Sequence, residues 1–250
     1  MNIGIIVQAR MGSTRLPGKI LKQFYGGKTL LETLLDSIHK VDGVKVIVAT
    51  SDNENNDQLE AFLRAKDELV FRGSENDVLD RFIRAAERHD VDRIVRICSD
   101  NPFLDWHGIE QLIEKGKESN ADYIGFRVND KPSILTHFGF WGEYVTLDAL
   151  KRVASSTDKG SPAHEHVTYH IYNHPAEYKC EWIQCPTFIQ GRDDIRLTID
   201  TYDDFVNAVK VYSELKAKDD DFTLYDVVEY LDCHEEIKKS MLTNILKNNK

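Results

Sequence analysis

Long apolar runs are missing from this chain of 250 residues. No stretch approaches the roughly 18 consecutive apolar residues of a membrane-spanning helix. The N-terminus enters an apolar run with no charged prelude and no small-residue cleavage site, so no secretory leader is expected. Both points place the protein in the cytoplasm, away from membranes. Cysteine is sparse: Cys98, Cys180, Cys185 and Cys233 form no C-x-x-C pair, the pattern of reduced structural thiols. A basic surplus is missing too. Lys and Arg number 32 against 42 Asp and Glu, a net charge of -10 that argues against general nucleic-acid binding. Repeats, low-complexity segments and linkers long enough to separate domains are absent. Two common nucleotide fingerprints fail as well. There is no G-x-G-x-x-G, and the nearest thing to a Walker loop has Ser13 to Pro17 between Gly12 and Gly18, one residue too many. Ile20 follows Lys19 where that loop needs a hydroxyl for Mg²⁺.

What is present is a composition of 41% hydrophobic and 30% charged residues, that of a soluble globular protein. One stretch stands apart, Gln8-Ala-Arg-Met-Gly-Ser-Thr-Arg-Leu-Pro-Gly-Lys-Ile20, behind the apolar run Ile3 to Val7. Arg10, Arg15, Lys19, Lys22 and Lys28 all precede the first acid of the chain, Glu32. In an acidic protein, a cationic loop rich in small residues suits a polyanion. Gly12, Ser13 and Gly18 let backbone N–H groups approach phosphate oxygens, and Arg15 and Lys19 supply counter-charge. An ordinary strand-to-helix connection that happens to be basic is the alternative.

The pattern after the loop alternates between the helical and strand periods. Thr29 caps a helix over 30–40, followed by a strand over 44–50 and a polar helical return over 53–66. A short strand over 68–71 leads to a helix that Ser74 and Asp77 open and that runs to His89. A strand over 93–99, a helix over 105–119 and a strand over 122–128 follow. Such alternation predicts an α/β fold, a mostly parallel mixed sheet with helices on both faces. Residues 129–146 lose the period; their aromatics, Phe138, Phe140, Trp141 and Tyr144, suit an acceptor pocket, a dimer contact or plain packing. A helix over 147–154, strands over 178–185 and 195–199, and helices over 202–216, 224–231 and 235–246 complete the chain, with a frayed tail over 247–250.

Asp100 and Asp200 each directly follow an apolar alternating run. Ligands of parallel sheets sit at the carboxyl ends of the strands, so these carboxylates can converge on a phosphate loop and hold Mg²⁺. Each could instead cap the helix after it. His166, His170 and His174 recur at helical spacing beside His164, but no carboxylate or cysteine completes a zinc motif, and a substrate-side or structural helix is the stronger reading. Asp219 to Asp221 reads as a solvated turn.

The stretch from Gln8 to Lys19 resembles the N-terminal motif of the cytidylyltransferases that activate acidic sugars, most of all the SpsF-like, spore-coat polysaccharide branch. The CMP-KDO synthetases are more distant relatives. The resemblance continues through Arg72 to Glu75, Val78 to Arg81, Arg96 to Pro102, Glu165 to Thr168 and Arg196 to Phe205, in family order. It implies a GT-A-like, Rossmann-type nucleotidyltransferase fold over one domain. Residues 1–128 form the nucleotide half, 129–190 the acceptor and dimerisation region, and 191–250 the segment with the second metal-binding aspartate. It implies that Ala9, Arg10, Gly12, Ser13, Arg15 and Lys19 hold the triphosphate and that Arg72 and Ser74 lie against base and ribose. Asp100 and Asp200 hold Mg²⁺, with Lys19 and Arg15 acting in catalysis beside them, and Glu165 and His166 face the acceptor. The CMP-sugar synthetases tend to carry Gln where Cys98 stands, a departure at a position that helps read cytosine.

The reaction implied is transfer of CMP from CTP to an acidic sugar or phosphorylated acceptor, by a homodimer, for a surface polysaccharide. A GT-A glycosyltransferase using a nucleotide sugar is the rival, although Asp100-Asn-Pro102 is not its D-x-D motif. A nucleotide-binding protein without turnover is the non-enzymatic alternative.

Overall fold

A computed structural model describes residues 1–247. The expected frayed tail lies outside the described residues except for Lys247, which ends the last helix. The strands are β1 (Ile3–Gln8), β2 (Gln23–Tyr25), β3 (Lys28–Thr29), β4 (Lys45–Ser51), β5 (Leu69–Gly73), β6 (Arg93–Cys98), β7 (Tyr123–Val128), β8 (Lys131–Pro132), β9 (Glu143–Thr146) and β10 (Cys180–Gln184). The helices are α1 (Leu30–Ile38), α2 (Asp57–Arg64), α3 (Val78–Arg88), α4 (Trp106–Glu118), α5 (Leu147–Ser156), α6 (Pro162–Glu165), α7 (Tyr169–Asn173), α8 (Tyr202–Lys218), α9 (Leu224–Asp232) and α10 (Glu235–Lys247).

The main sheet runs β10-β7-β9-β6-β1-β4-β5, with β8 paired to β7. β1 lies parallel to β4 and β6, and β4 to β5. Beyond β6 the sheet changes direction: β9 is antiparallel to both β6 and β7, and β10 returns parallel to β7. Alternate residues of each strand feed opposite faces, as the pleat requires. Ile5 and Val7 join Val46, Val48, Val95 and Ile97 under α1, α2, α4, α8, α9 and α10. Ile6 joins Ile47, Ile94 and Val145 under α3, α5, α6 and α7. The expected α/β architecture, mostly parallel with helices on both faces, is what the chain adopts.

The helix starts show local chemistry at work. Thr29 opens α1 with a capping box: its hydroxyl accepts from Glu32 N–H while the Glu32 carboxylate accepts from Thr29 N–H. α3 starts at Val78 with Asp77 as its cap, three residues later than expected, and Ser74 instead accepts from Asp77 N–H. Residues 195–199 form no strand. Their N–H groups go elsewhere, Leu197 to the His137 carbonyl (2.8 Å) and Ile199 to the Asp100 carbonyl (3.0 Å). β9, which the sequence pattern did not reveal, lies in the aperiodic stretch. Phe138, Phe140, Trp141 and Tyr144 are all buried, and Trp141 stacks on Phe126 at 4.7 Å, so these rings face the interior and do not form an exposed dimer surface; Phe138, Phe140 and Trp141 also line a small cavity.

α4 can approach β9 only because position 116 lacks a side chain. A Cβ on Gly116 would meet the buried Tyr144 ring at 2.3 Å. In an open helix Gly→Ala gains about 1 kcal/mol, but forcing a core ring aside costs about 1–3 kcal/mol. Gly116→Ala is therefore expected to lower the denaturation midpoint at an unchanged m-value. A rise would show that the ring has room to move.

Candidate functional site

The loop after β1 is pinned at several points. Ala9 N–H donates to the Ala49 carbonyl (3.2 Å), and Met11 N–H to Asn56 Oδ1 (2.9 Å). Leu16 and Ile20 are buried in the core, so the residues between them cannot drift. Gly18, at φ 65°, turns the chain into a short 3₁₀ segment at Lys19–Leu21, a backbone conformation glycine takes at little cost. Ser13 and Gly18 N–H both donate to the Met11 carbonyl, at 2.9 and 3.2 Å. These two amides hold the loop's own shape, against the expectation that they face phosphate oxygens. The positive charge comes from the side chains.

Those side chains line a cavity of about 270 Å³ at the carboxyl ends of β1 and β6. Its walls carry Gly12, Ser13 and Thr14 with Arg10, Arg15 and Lys19, together with Gln8, Cys98, Ser99, Asp100 and Asp200. Lys19 is not the exposed residue its loop suggests: its side chain is 11% exposed. Its Nζ lies 3.1 Å from Asp100 Oδ2 and 3.7 Å from Asp200 Oδ1, and it also donates to the Ile199 carbonyl. Arg15 Nη2 meets the same Asp200 oxygen at 3.0 Å. The two aspartates therefore converge on one cation, and Ile199 N–H to Asp100 O ties their segments together. Neither caps a helix. Asp105 caps α4 and Thr201 caps α8, which removes the alternative reading of both carboxylates.

Asp200 has a second support. Arg196, fully buried, donates to Asp200 Oδ2 (2.8 Å), to Asp204 at 2.8 and 3.1 Å, and contacts His137 Nδ1 at 2.7 Å. Asp204 also accepts from Asp200 N–H and Thr201 N–H. Burial works against both charges, yet their pairing keeps Asp204 below the usual carboxylate range and Arg196 above its ordinary value. Two hard carboxylates fixed this way suit a small divalent cation. Among the described residues no group of three or more His, Cys, Asp or Glu that could hold a metal ion is found, so a cation here would need oxygen ligands from outside the protein as well.

Other expected site residues lie elsewhere. Ala9 is buried with its N–H in the sheet and does not line the cavity. Arg72, on the outermost strand β5, pairs with Asp57 (2.6 Å) and Glu60 (2.8 Å), and Ser74 shapes the turn into α3; neither reaches the cavity. Glu165 and His166 are exposed and line neither this cavity nor the smaller one of about 80 Å³ beside it. That smaller cavity shares Cys98 and Asp100 and is closed by residues from Ser133 to Trp141. The histidine stripe does not form, because α6 ends at Glu165 and α7 begins at Tyr169. His164 is buried against Asp77 at 2.8 Å, and the His170 and His174 rings stack at 3.9 Å. The four cysteines are thiols, and burial pushes Cys180 up to about 11.

Three residues in or near the site carried no role in the sequence pattern. Gln8 lines the cavity. Arg196 braces Asp200; its signals were an arginine inside an apolar alternating run and its place at the head of a stretch that resembles the family, neither of which gave it a role. Arg81 is fully buried, donates to the Ser74 carbonyl (2.7 Å) and leaves Nε and Nη2 without partners. Burial, with Arg10 nearby, brings its pKa down to about 10. Native proteins rarely keep such idle buried donors.

The family model for Cytidylyltransferase matches residues 4–250. The chain is 34% identical over 224 residues to spore coat polysaccharide biosynthesis protein SpsF of Bacillus subtilis, covering 88% of this chain and 90% of that protein. It is 27% identical over 143 residues to the 8-amino-3,8-dideoxy-manno-octulosonate cytidylyltransferase of Shewanella amazonensis, covering 54% and 57%. Among solved structures, a cytidylyltransferase from Leptospira borgpetersenii superposes with a TM-score of 0.80 at 26% identity, covering 95% of this chain and 96% of that one.

Proposed function

Since the chain belongs to the cytidylyltransferase family and is a nucleotidyltransferase, we propose that it transfers CMP from CTP to an acidic sugar or phosphorylated acceptor with Mg²⁺, releasing pyrophosphate, for surface polysaccharide synthesis. The observation that carries this reading is the meeting of Arg15, Lys19, Asp100 and Asp200 at one cavity. The names of the relatives agree with it, one a cytidylyltransferase for an eight-carbon sugar acid and one a polysaccharide biosynthesis protein.

In this reaction an acceptor oxygen forms a bond to the α-phosphorus as the bond to the departing pyrophosphate oxygen breaks. Little covalent chemistry falls to the protein, so orientation and charge dominate. Arg10 and Arg15 orient the triphosphate from the open side of the cavity. Lys19, fixed from beneath, neutralises charge growing on the leaving group. Asp100 and Asp200 are the residues that would hold Mg²⁺, which when bound would supply Lewis-acid chemistry to the reacting phosphate and hydroxyl. The acceptor enters from the side of the smaller cavity, past Cys98 and Asp100. Residues 1–128 then supply the nucleotide side of one catalytic unit and 129–190 the acceptor side, with Asp200 closing the centre.

Pyrophosphate release, measured with four nucleoside triphosphates against a panel of sugar acids and sugar phosphates, tests the reading. Metal-dependent release with CTP and one acceptor class is expected. Release of a nucleoside diphosphate from a sugar nucleotide, with none of pyrophosphate, would replace it with glycosyl transfer.

A further inference from the structure

Gln8 ends β1 and is the register partner of Cys98, which ends β6 on the adjacent strand. Both line the cavity of about 270 Å³. Residues paired in this way point to the same face of a sheet, so an amide stands one strand away from the place where the CMP-sugar synthetases tend to carry theirs.

The orientation of the Gln8 amide is set by chemistry. Its Oε1 accepts from Arg96 Nη2 at 3.1 Å. A guanidinium only donates, so the amide cannot be turned the other way without facing N–H against N–H. Arg96 is itself immobilised: Nη1 donates to Glu143 Oε2 at 2.6 Å, and Glu143 also accepts from Tyr123 OH (2.7 Å) and Thr168 Oγ1 (3.0 Å). Arg96, Glu143 and Thr168 are 7%, 1% and 1% exposed. The network therefore fixes one end of the Gln8 side chain and leaves the Nε2 hydrogens as the end that can meet a ligand.

We propose that Gln8 is the nucleobase-specificity residue of this cavity, donating from Nε2 to the N3 and O2 acceptors of cytosine, with Arg96 as its positioning residue. The inference rests on the reading of the cavity as a CTP site. Cytosine presents a lone pair at N3, whereas uracil presents N3–H, which would oppose the Gln8 donor. A site built to hydrogen-bond one pattern rejects the other, because mismatched buried polar groups go unpaired. The Cys98 thiol, a weak donor, leaves this discrimination to Gln8.

Equilibrium binding of CTP and of UTP, each with Mg²⁺, to the wild-type protein and to Gln8→Ala and Gln8→Glu tests this. The wild type is expected to favour CTP. Gln8→Ala should weaken CTP roughly tenfold while UTP changes little, bringing the ratio toward one; tenfold is the worth of about one lost hydrogen bond. Gln8→Glu keeps the shape, pairs with Arg96 and turns an acceptor toward the base, so it should favour UTP. Thermal midpoints check that each variant is folded, and the alanine variant serves if the glutamate one is not. Folded variants with an unchanged CTP-to-UTP ratio would overturn the role of Gln8 alone. No binding of either nucleotide by the wild type would overturn the CTP reading beneath it. A loss equal for both nucleotides would make Gln8 structural and overturn the proposal.

Discussion

Lys19→Ala is expected to lower turnover by about 10²–10³-fold, the effect of removing one preorganised charge from a site where charge develops. Lys19 lies within 3.1 Å of Asp100 and 3.7 Å of Asp200, so nothing else in the cavity can take its place without rebuilding both contacts. The substitution should also cost stability. It removes the cation that two carboxylates, 26% and 15% exposed, share, although Asp200 keeps Arg15 and Arg196. Loss of such a partly buried partner costs about 1–3 kcal/mol. These effects separate by experiment, because added Mg²⁺ should recover much of the thermal midpoint and little of the turnover. A variant with wild-type turnover would remove Lys19 from the reaction. One whose midpoint ignores Mg²⁺ would remove the aspartates as a cation site.

Asp200→Asn should abolish metal-dependent turnover, by about 10³-fold or more if the carboxylate holds the cation that neutralises the phosphates. The substitution keeps size and shape but not charge. In the wild type both Asp200 oxygens are engaged, Oδ1 by Arg15 and Oδ2 by Arg196. An asparagine can offer oxygen to one arginine only, and its NH₂ must then face the other guanidinium. Arg196 is already held by Asp204, so Arg15 is the one released, and triphosphate affinity should fall along with turnover. The helix after it should survive, since Thr201 and Asp204 form the capping box of α8 without help from Asp200. Circular dichroism unchanged alongside lost turnover is the expected pair of results. Turnover with ordinary Mg²⁺ dependence would return Asp200 to a purely structural role.

The features of this architecture legible in the sequence were those governed by local rules. The Thr29 cap, the strand–helix alternation up to residue 128 and the cationic loop each announce themselves over short spans of chain. β9 did not, because all four of its residues are buried and alternation has nothing to contrast. Residues 195–199 imitate a strand because their side chains alternate between the core and the site, while their hydrogen bonds go to His137 and Asp100 instead of a ladder. Spacing alone placed three histidines on one face, but the break between α6 and α7 is set by tertiary packing around Val167 and Thr168, both buried. Arg72 reads as a free cation only until Asp57 and Glu60 are brought beside it by α2. Gln8 and Arg96 are far apart in sequence, and only their neighbouring strands reveal that one orients the other.

The contact of Lys19 with the Ile199 carbonyl joins residues 180 positions apart. Closing so long a span costs entropy before any reward arrives, so this junction is expected to form after the local helices and neighbouring strands have settled. During synthesis on the ribosome, a chain that has not yet reached Ile199 would own the cationic loop but not its counterpart. The proposed nucleotide pocket is thus expected to be among the last regions of the molecule to assemble, complete only once that late segment has docked.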